Sequence, residues 1–215
     1  MMRHSPLLNL PFAGDTATWA VMAQAGGATM EAHGPYQRRT ARTRTTILTQ
    51  SGPLDISIPI RTAHGQKYRD TRLNYDMDWD RQLMYALKTA YNSTPYFEYL
   101  EQDFGDIVRR RHEFLWDFNC EIMRLIANVM GLELDIKETE AFGPAEEGQM
   151  DLRIGIETKY AGRIRELCRP VAYTQIFGPP YTERPFTPWL SVMDLLFNMG
   201  PESRLVLKEM TTARC

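Results

Sequence analysis

Residues 117–130 carry Phe118, Ile122, Leu125, Ile126 and Val129 at helical spacing and run into Gly131, which constrains the segment to an amphipathic helix with a defined stop. Such a helix has to bury its stripe against a sheet or another helix. Residues 133–137 then read as a short strand, so helix is followed by strand and a layered α/β arrangement is expected. Further upstream, residues 43–49 and 54–60 read as a β-hairpin joined by Gln50-Ser51-Gly52-Pro53, with Ile56, Ile58 and Ile60 alternating against polar or proline positions. The expected fold is therefore α/β: a single domain over 1–215, with a mixed sheet, a β-hairpin in the N-terminal half, and several helices packed on it.

Other elements follow from local punctuation. Residues 16–25 suit a small helix stopped by Gly26-Gly27, with a strand at 28–32. Residues 68–75 read as a further strand. Asp78 is a candidate cap for a helix through Trp79, Leu83, Leu87 and Ala90, closed by Asn92-Ser93-Thr94-Pro95, and a second helix spans 99–111. Residues 142–149 are rich in Gly, Pro and Glu and read as loop, as does 64–66, whereas 155–170 reads as a flexible excursion. Residues 172–177 alternate like a strand, and Val192, Leu195, Leu196 and Met199 give the last helix its apolar face.

Composition excludes several classes. A net charge of −2 gives no field suited to nucleic acid, and no window approaches 18 uninterrupted apolar residues, so no membrane span is expected. The apolar run at 7–12 is too short, and too interrupted by Asn9 and Pro11, for a signal peptide. Cys120, Cys168 and Cys215 lack C-x-x-C spacing, and His4, His33, His64 and His112 are scattered. A soluble cytoplasmic protein without metal or cofactor is the expectation. Cys120, beside Asn119 on the strongest helix, reads as a small buried hydrophobe.

Arg38, Arg39, Arg42 and Arg44 fall within seven residues ahead of a strand-like run. Were residues 40–48 extended, Arg42 and Arg44 would share one face about 7 Å apart and form a fork for carboxylate or phosphate. A charged edge strand that discourages edge pairing is the other reading. Asp194 and Asn198 stand four apart on one helix face, able either to orient a ligand or to cap neighbouring backbone groups.

Together these words resemble the WbqC-like family. The resemblance runs through Tyr36-Gln37 with Arg42-Thr43-Arg44, then the stretch at 52–59, Trp79, and the stretch at 90–98. It continues through 114–119, 173–177 and 190–202, and so covers nearly the whole chain. It implies a link to O-antigen and other surface-polysaccharide biosynthesis, with glycine transfer as the suggested chemistry. Carried onto this chain, it marks Arg42, Arg44, Tyr36, Tyr173, Gln175 and Asn198 as substrate-binding candidates. Three departures stand out: Thr43 stands where the family's Arg-Asn-Arg word has its Asn, the N-terminal word lacks the family's Gln, and Leu83 stands where relatives have a His four residues after the tryptophan.

Two functional readings follow. In the first, the chain is a transferase whose arginines grip an anionic small molecule (a nucleotide sugar, sugar phosphate or activated amino acid) while Asp194 or Asp151 handles a proton. In the second, it is a noncatalytic scaffold with a protein partner in polysaccharide assembly, with Trp116, Trp189 and Tyr181 as interface anchors.

Overall fold

The apolar stripe at 117–130 finds its partners among aromatic and helical neighbours. Phe118 meets Phe12, Trp79 and His112 with ring centroids 5.7–5.8 Å apart. The computed structural model describes residues 4–61, 65–153 and 162–210. In chain order, β1 (Ser5–Asn9) leads through α1 (Thr16–Ala25) to β2 (Gly27–Glu31) and then to β3 (Arg44–Thr49) and β4 (Gly52–Ser57). The short strands β5 (Ile60–Arg61) and β6 (Arg72–Leu73) precede α2 (Trp79–Tyr91), α3 (Phe97–Arg109) and α4 (Leu115–Met130). After β7 (Asp135–Glu138) and β8 (Gln149–Asp151) come α5 (Gly162–Arg165), α6 (Val192–Met199) and α7 (Ser203–Met210).

The centre is a four-stranded parallel sheet in the order β7-β2-β1-β8. The hairpin β3-β4 is antiparallel and forms its own two-stranded sheet, as does β5-β6. The α/β class expected from sequence is what the chain adopts, with the strands parted into a parallel sheet and separate antiparallel pairs. The buried side chains form one connected cluster that takes in β1, β2 and α1 to α4 as well as α6 and α7. Among the described residues, no helix is long and apolar enough to cross a membrane.

Local signals placed most helices. Asp15 caps α1 by accepting from the Thr18 N–H at 2.9 Å, and Gly26 closes it in the left-handed conformation. Gly131 does the same for α4. Asp78 precedes α2 but makes no side-chain cap hydrogen bond.

Other expectations are corrected. The hairpin turns at Gln50 and Ser51 alone, because Gly52 and Pro53 already pair with Thr49 and Leu48. Of residues 68–75 only Arg72–Leu73 is a strand; Tyr68 lies in a turn, fully buried, its hydroxyl donating to the Leu10 carbonyl at 2.6 Å. The loop expected at 142–149 ends in β8, one of the sheet's two edge strands. Within the excursion expected at 155–170, α5 forms and Ile164 and Cys168 are buried, while 154–161 lies outside the described residues, as do His64 and Cys215. Residues 172–177 form no strand, only an isolated bridge from Gln175 to Pro180.

The sheet depends on a close approach at Gly27. A Cβ there would sit 2.1 Å from the Asp135 carbonyl oxygen of β7, at a φ of 154°. Gly143, by contrast, has nothing within 4 Å of a Cβ position. Gly27→Ala is expected to cost about 2 kcal/mol or more and Gly143→Ala under about 0.5 kcal/mol in urea unfolding. Equal effects would show that the β2–β7 approach does not constrain the fold.

Candidate functional site

Parallel strands bring their carboxyl ends to one edge, and side chains from β1, β2 and β8 converge there. Register sets Asn9 level with Glu31, and Asp151 level with Leu7. The chain passes from β1 to β2 to β7 on one side and returns with β8 on the other, so β1 and β8 flank the point where the strand order reverses. In open parallel sheets this is where a crevice forms outside the strand ends. Here it is about 210 Å³, lined by Asn9, Glu31, Gln37, Arg42, Phe142, Asp151 and Arg153, with Gly34 and Pro35.

Charge in the crevice is held by a network. Arg153 donates from Nε and Nη2 to the two Asp151 carboxylate oxygens at 3.0 and 2.6 Å, and from Nη1 to Glu31 at 3.0 Å and to the Gly143 carbonyl at 2.8 Å. Glu31, buried, also accepts from the His33 and Gly34 N–H groups and the Thr139 hydroxyl. Asn9 donates to the Arg153 carbonyl at 2.8 Å. The Arg153 hydrogen bond holds the Asp151 carboxyl below the usual carboxylate range.

Arg42 forms another wall, although it is only 3% exposed. Its guanidinium lies 5.1 Å from the Tyr68 ring centroid, and Asn119 of α4 donates to both the Arg42 carbonyl and the Tyr68 hydroxyl. Burial raises the Tyr68 hydroxyl pKa well above its ordinary value, so it stays a neutral donor. The α1 N-terminus is occupied by its own Asp15 cap, which also pairs with Arg165 at 3.2 Å. Positive charge in the crevice therefore comes from Arg42 and Arg153 rather than from a helix end.

The expected Arg42–Arg44 fork does not form. Thr43 N–H donates back to the Thr40 carbonyl, so Arg42 sits in a turn and the strand begins only at Arg44. Arg44 lines a separate cavity of about 100 Å³ with Asp15, Asp55, Arg165 and Trp189.

Asp194, Tyr173, Gln175 and Asn198 come together in a different place, a buried network lining none of the cavities named. Asp194, fully buried on α6, accepts from the Tyr91 hydroxyl at 2.8 Å, the Tyr173 hydroxyl at 2.7 Å and the Gln175 amide at 3.3 Å. Asn198 donates to the Asp194 carbonyl and accepts from the Ile176 N–H, the capping option of its two readings. Burial pushes the Asp194 pKa up to about 6 against the lowering effect of these donors. Tyr36, half-buried, stands between the crevice residues Pro35 and Gln37.

A model of the WbqC-like protein family matches residues 19–179. The chain belongs to that family. No curated protein and no solved structure matches it. The matched span of this WbqC-like chain includes Glu31, Arg42, Asp151 and Arg153 of the crevice, while Asp194 and Asn198 lie beyond it. Leu83, expected from the resemblance to replace a His, is buried in the core.

Asn9, Glu31, Gln37, Phe142 and Arg153, with Gly34 and Pro35, are the crevice residues that sequence reading did not name as site residues. Asn9 did leave a trace, as the polar break in the apolar run at 7–12. Of the expected interface anchors, Trp116 is buried against Tyr68, Trp189 is half-buried under Arg165, and Tyr181 is exposed. Cys120 is half-buried, and burial pushes its thiol up to about 11, so it is a poor nucleophile. No group of three His, Cys, Asp or Glu among the described residues is placed to hold a metal ion.

Because Asp194 binds its proton more tightly folded than unfolded, its contribution to stability is full below about pH 4 and is lost as pH rises through about 6. Relative to Asp194→Asn, wild type should gain roughly 2 kcal/mol as pH falls from 7 to 4, read as unfolding free energy. A difference that is flat or runs the other way would mean that the tyrosine donors outweigh desolvation.

Proposed function

We propose that this WbqC-like chain is a transferase of surface-polysaccharide biosynthesis, O-antigen in type, and that the switch-point crevice is its donor site. The donor is an anionic small molecule: a nucleotide sugar, a sugar phosphate or an activated amino acid. The observation that carries the reading is the buried Arg42 on the wall of a crevice at the reversal of a parallel sheet. A cation fixed in a poorly solvated wall attracts phosphate or carboxylate more strongly than one in water.

The chemistry that suits this site is electrostatic. Asp151 is kept ionised by Arg153 and is a weak base, so its part is to fix the Arg153 guanidinium. Arg42 and Arg153 then stabilise negative charge that develops on a leaving phosphate or carboxylate. With an activated amino acid as donor, glycyl or aminoacyl transfer to a sugar amine or hydroxyl fits, the acyl bond to the leaving phosphate breaking as the bond to the acceptor forms and the acceptor's proton passing to solvent. With a nucleotide sugar or sugar phosphate, the bond from the anomeric carbon to the phosphate oxygen breaks instead. Asp194 is assigned a positioning role, tying Tyr91 and Tyr173 to α6.

A thermal-shift screen against nucleotides, nucleotide sugars, sugar phosphates and glycine tests this. A true ligand at 100 times its dissociation constant adds about 2.7 kcal/mol of stability. That shift should be lost in Arg42→Ala and kept in Arg44→Ala, whose side chain lines the other cavity. No shift with any anion would favour the scaffold reading, and loss in both variants alike would remove the crevice as the site.

A further inference from the structure

Phe142 is 58% exposed, and of the large apolar side chains exposed among the described residues it is the one that lines a cavity named here. It also borders a larger polar hollow of about 640 Å³ over the outer face of the sheet, which shares Glu31 with the crevice. The ring thus stands on the divide between the two spaces.

Its position is fixed from two sides. The Arg153 guanidinium lies 5.5 Å from the ring centroid, and Arg153 is itself anchored by Asp151, Glu31 and the Gly143 carbonyl. A Cβ on Gly34 would come 3.1 Å from the ring, so the absence of a side chain there lets the ring seat against the backbone. What remains open is an aromatic surface at the mouth of a crevice whose charged lining is Arg42 together with Arg153 and its two carboxylate partners, Asp151 and Glu31. An exposed ring of this size gains little from water, and a flat π-surface on a heterocycle is the partner that covers it most fully.

We propose that Phe142 is a stacking platform and that the crevice takes a ligand carrying a planar heterocycle, namely a nucleotide or a nucleotide-linked donor. This rests on the reading of the crevice as the donor site and narrows its donor class. The base lies on Phe142, and the phosphates occupy the more buried part of the crevice lined by Arg42.

The test is isothermal titration of the full chain with the diphosphates of adenosine, guanosine, cytidine and uridine. Pyrophosphate and glucose 1-phosphate serve as base-free controls, and wild type is compared with Phe142→Ala, Phe142→Trp and Arg42→Ala. At least one nucleoside diphosphate should bind about tenfold or more tighter than pyrophosphate. Phe142→Ala should weaken it by roughly 5- to 150-fold while Phe142→Trp retains it and pyrophosphate is unaffected by either. The stacking role is overturned if the base-free anions bind as tightly as every nucleotide, or if Phe142→Ala changes no affinity. Should those anions still bind in an Arg42-dependent manner, the donor-site reading stands without it; if nothing binds, both fall.

Discussion

The side-chain amide of Asn119, wholly buried on α4, donates at once to the Arg42 carbonyl and to the Tyr68 hydroxyl, which in turn donates to the Leu10 carbonyl just past β1. Three segments far apart in sequence are joined through one planar group. A buried donor left without its acceptor costs about 1–3 kcal/mol, so each of these groups holds the others in place. The turn that presents Arg42, the end of the central strand and the longest helix therefore move as a unit. The crevice inherits its rigidity from that unit.

Asp194 does comparable work for the hairpin and α6. Leu48 of the hairpin donates to the Tyr91 hydroxyl, Tyr91 to Asp194, and Asp194 also receives Tyr173 and Gln175. Around it Phe197 packs against Tyr91, Phe97 and Phe104 with ring centroids 5.0–5.3 Å apart, each such pair adding about 0.5–1.5 kcal/mol beyond its buried area. The carboxylate is costly to bury, and the three donors offset part of that cost. Words that look functional in the sequence here secure the hairpin to the helical layer.

Helices were legible in the sequence where caps and stops are local: α1 with Gly26, and α4 with Gly131. The parallel sheet was not. β1 is a short run buried at four of its five positions, so it shows no alternation, and β8 is three residues inside a polar stretch. Parallel partners are distant in the chain and leave no turn signal between them. The arginine fork failed because the turn at 40–43 precedes the strand, a distinction that spacing alone does not carry. At Tyr173 and Gln175 the alternation was real as burial, but no neighbouring strand pairs with it. Arg42 and Asp151 were both named from sequence, yet only the strand order unites them.

Between β7 and β8 the chain crosses from one edge of the sheet to the other without a helix, and Phe142 rides on that crossing. A helical crossover would tie segment length to packing against the sheet. A loop does not: doubling its length adds only about 0.6 kcal/mol of closure entropy. Insertions and deletions here would reshape the mouth of the crevice while leaving the core untouched, so this segment is where descendants of the same scaffold can diverge in shape at little cost to the fold.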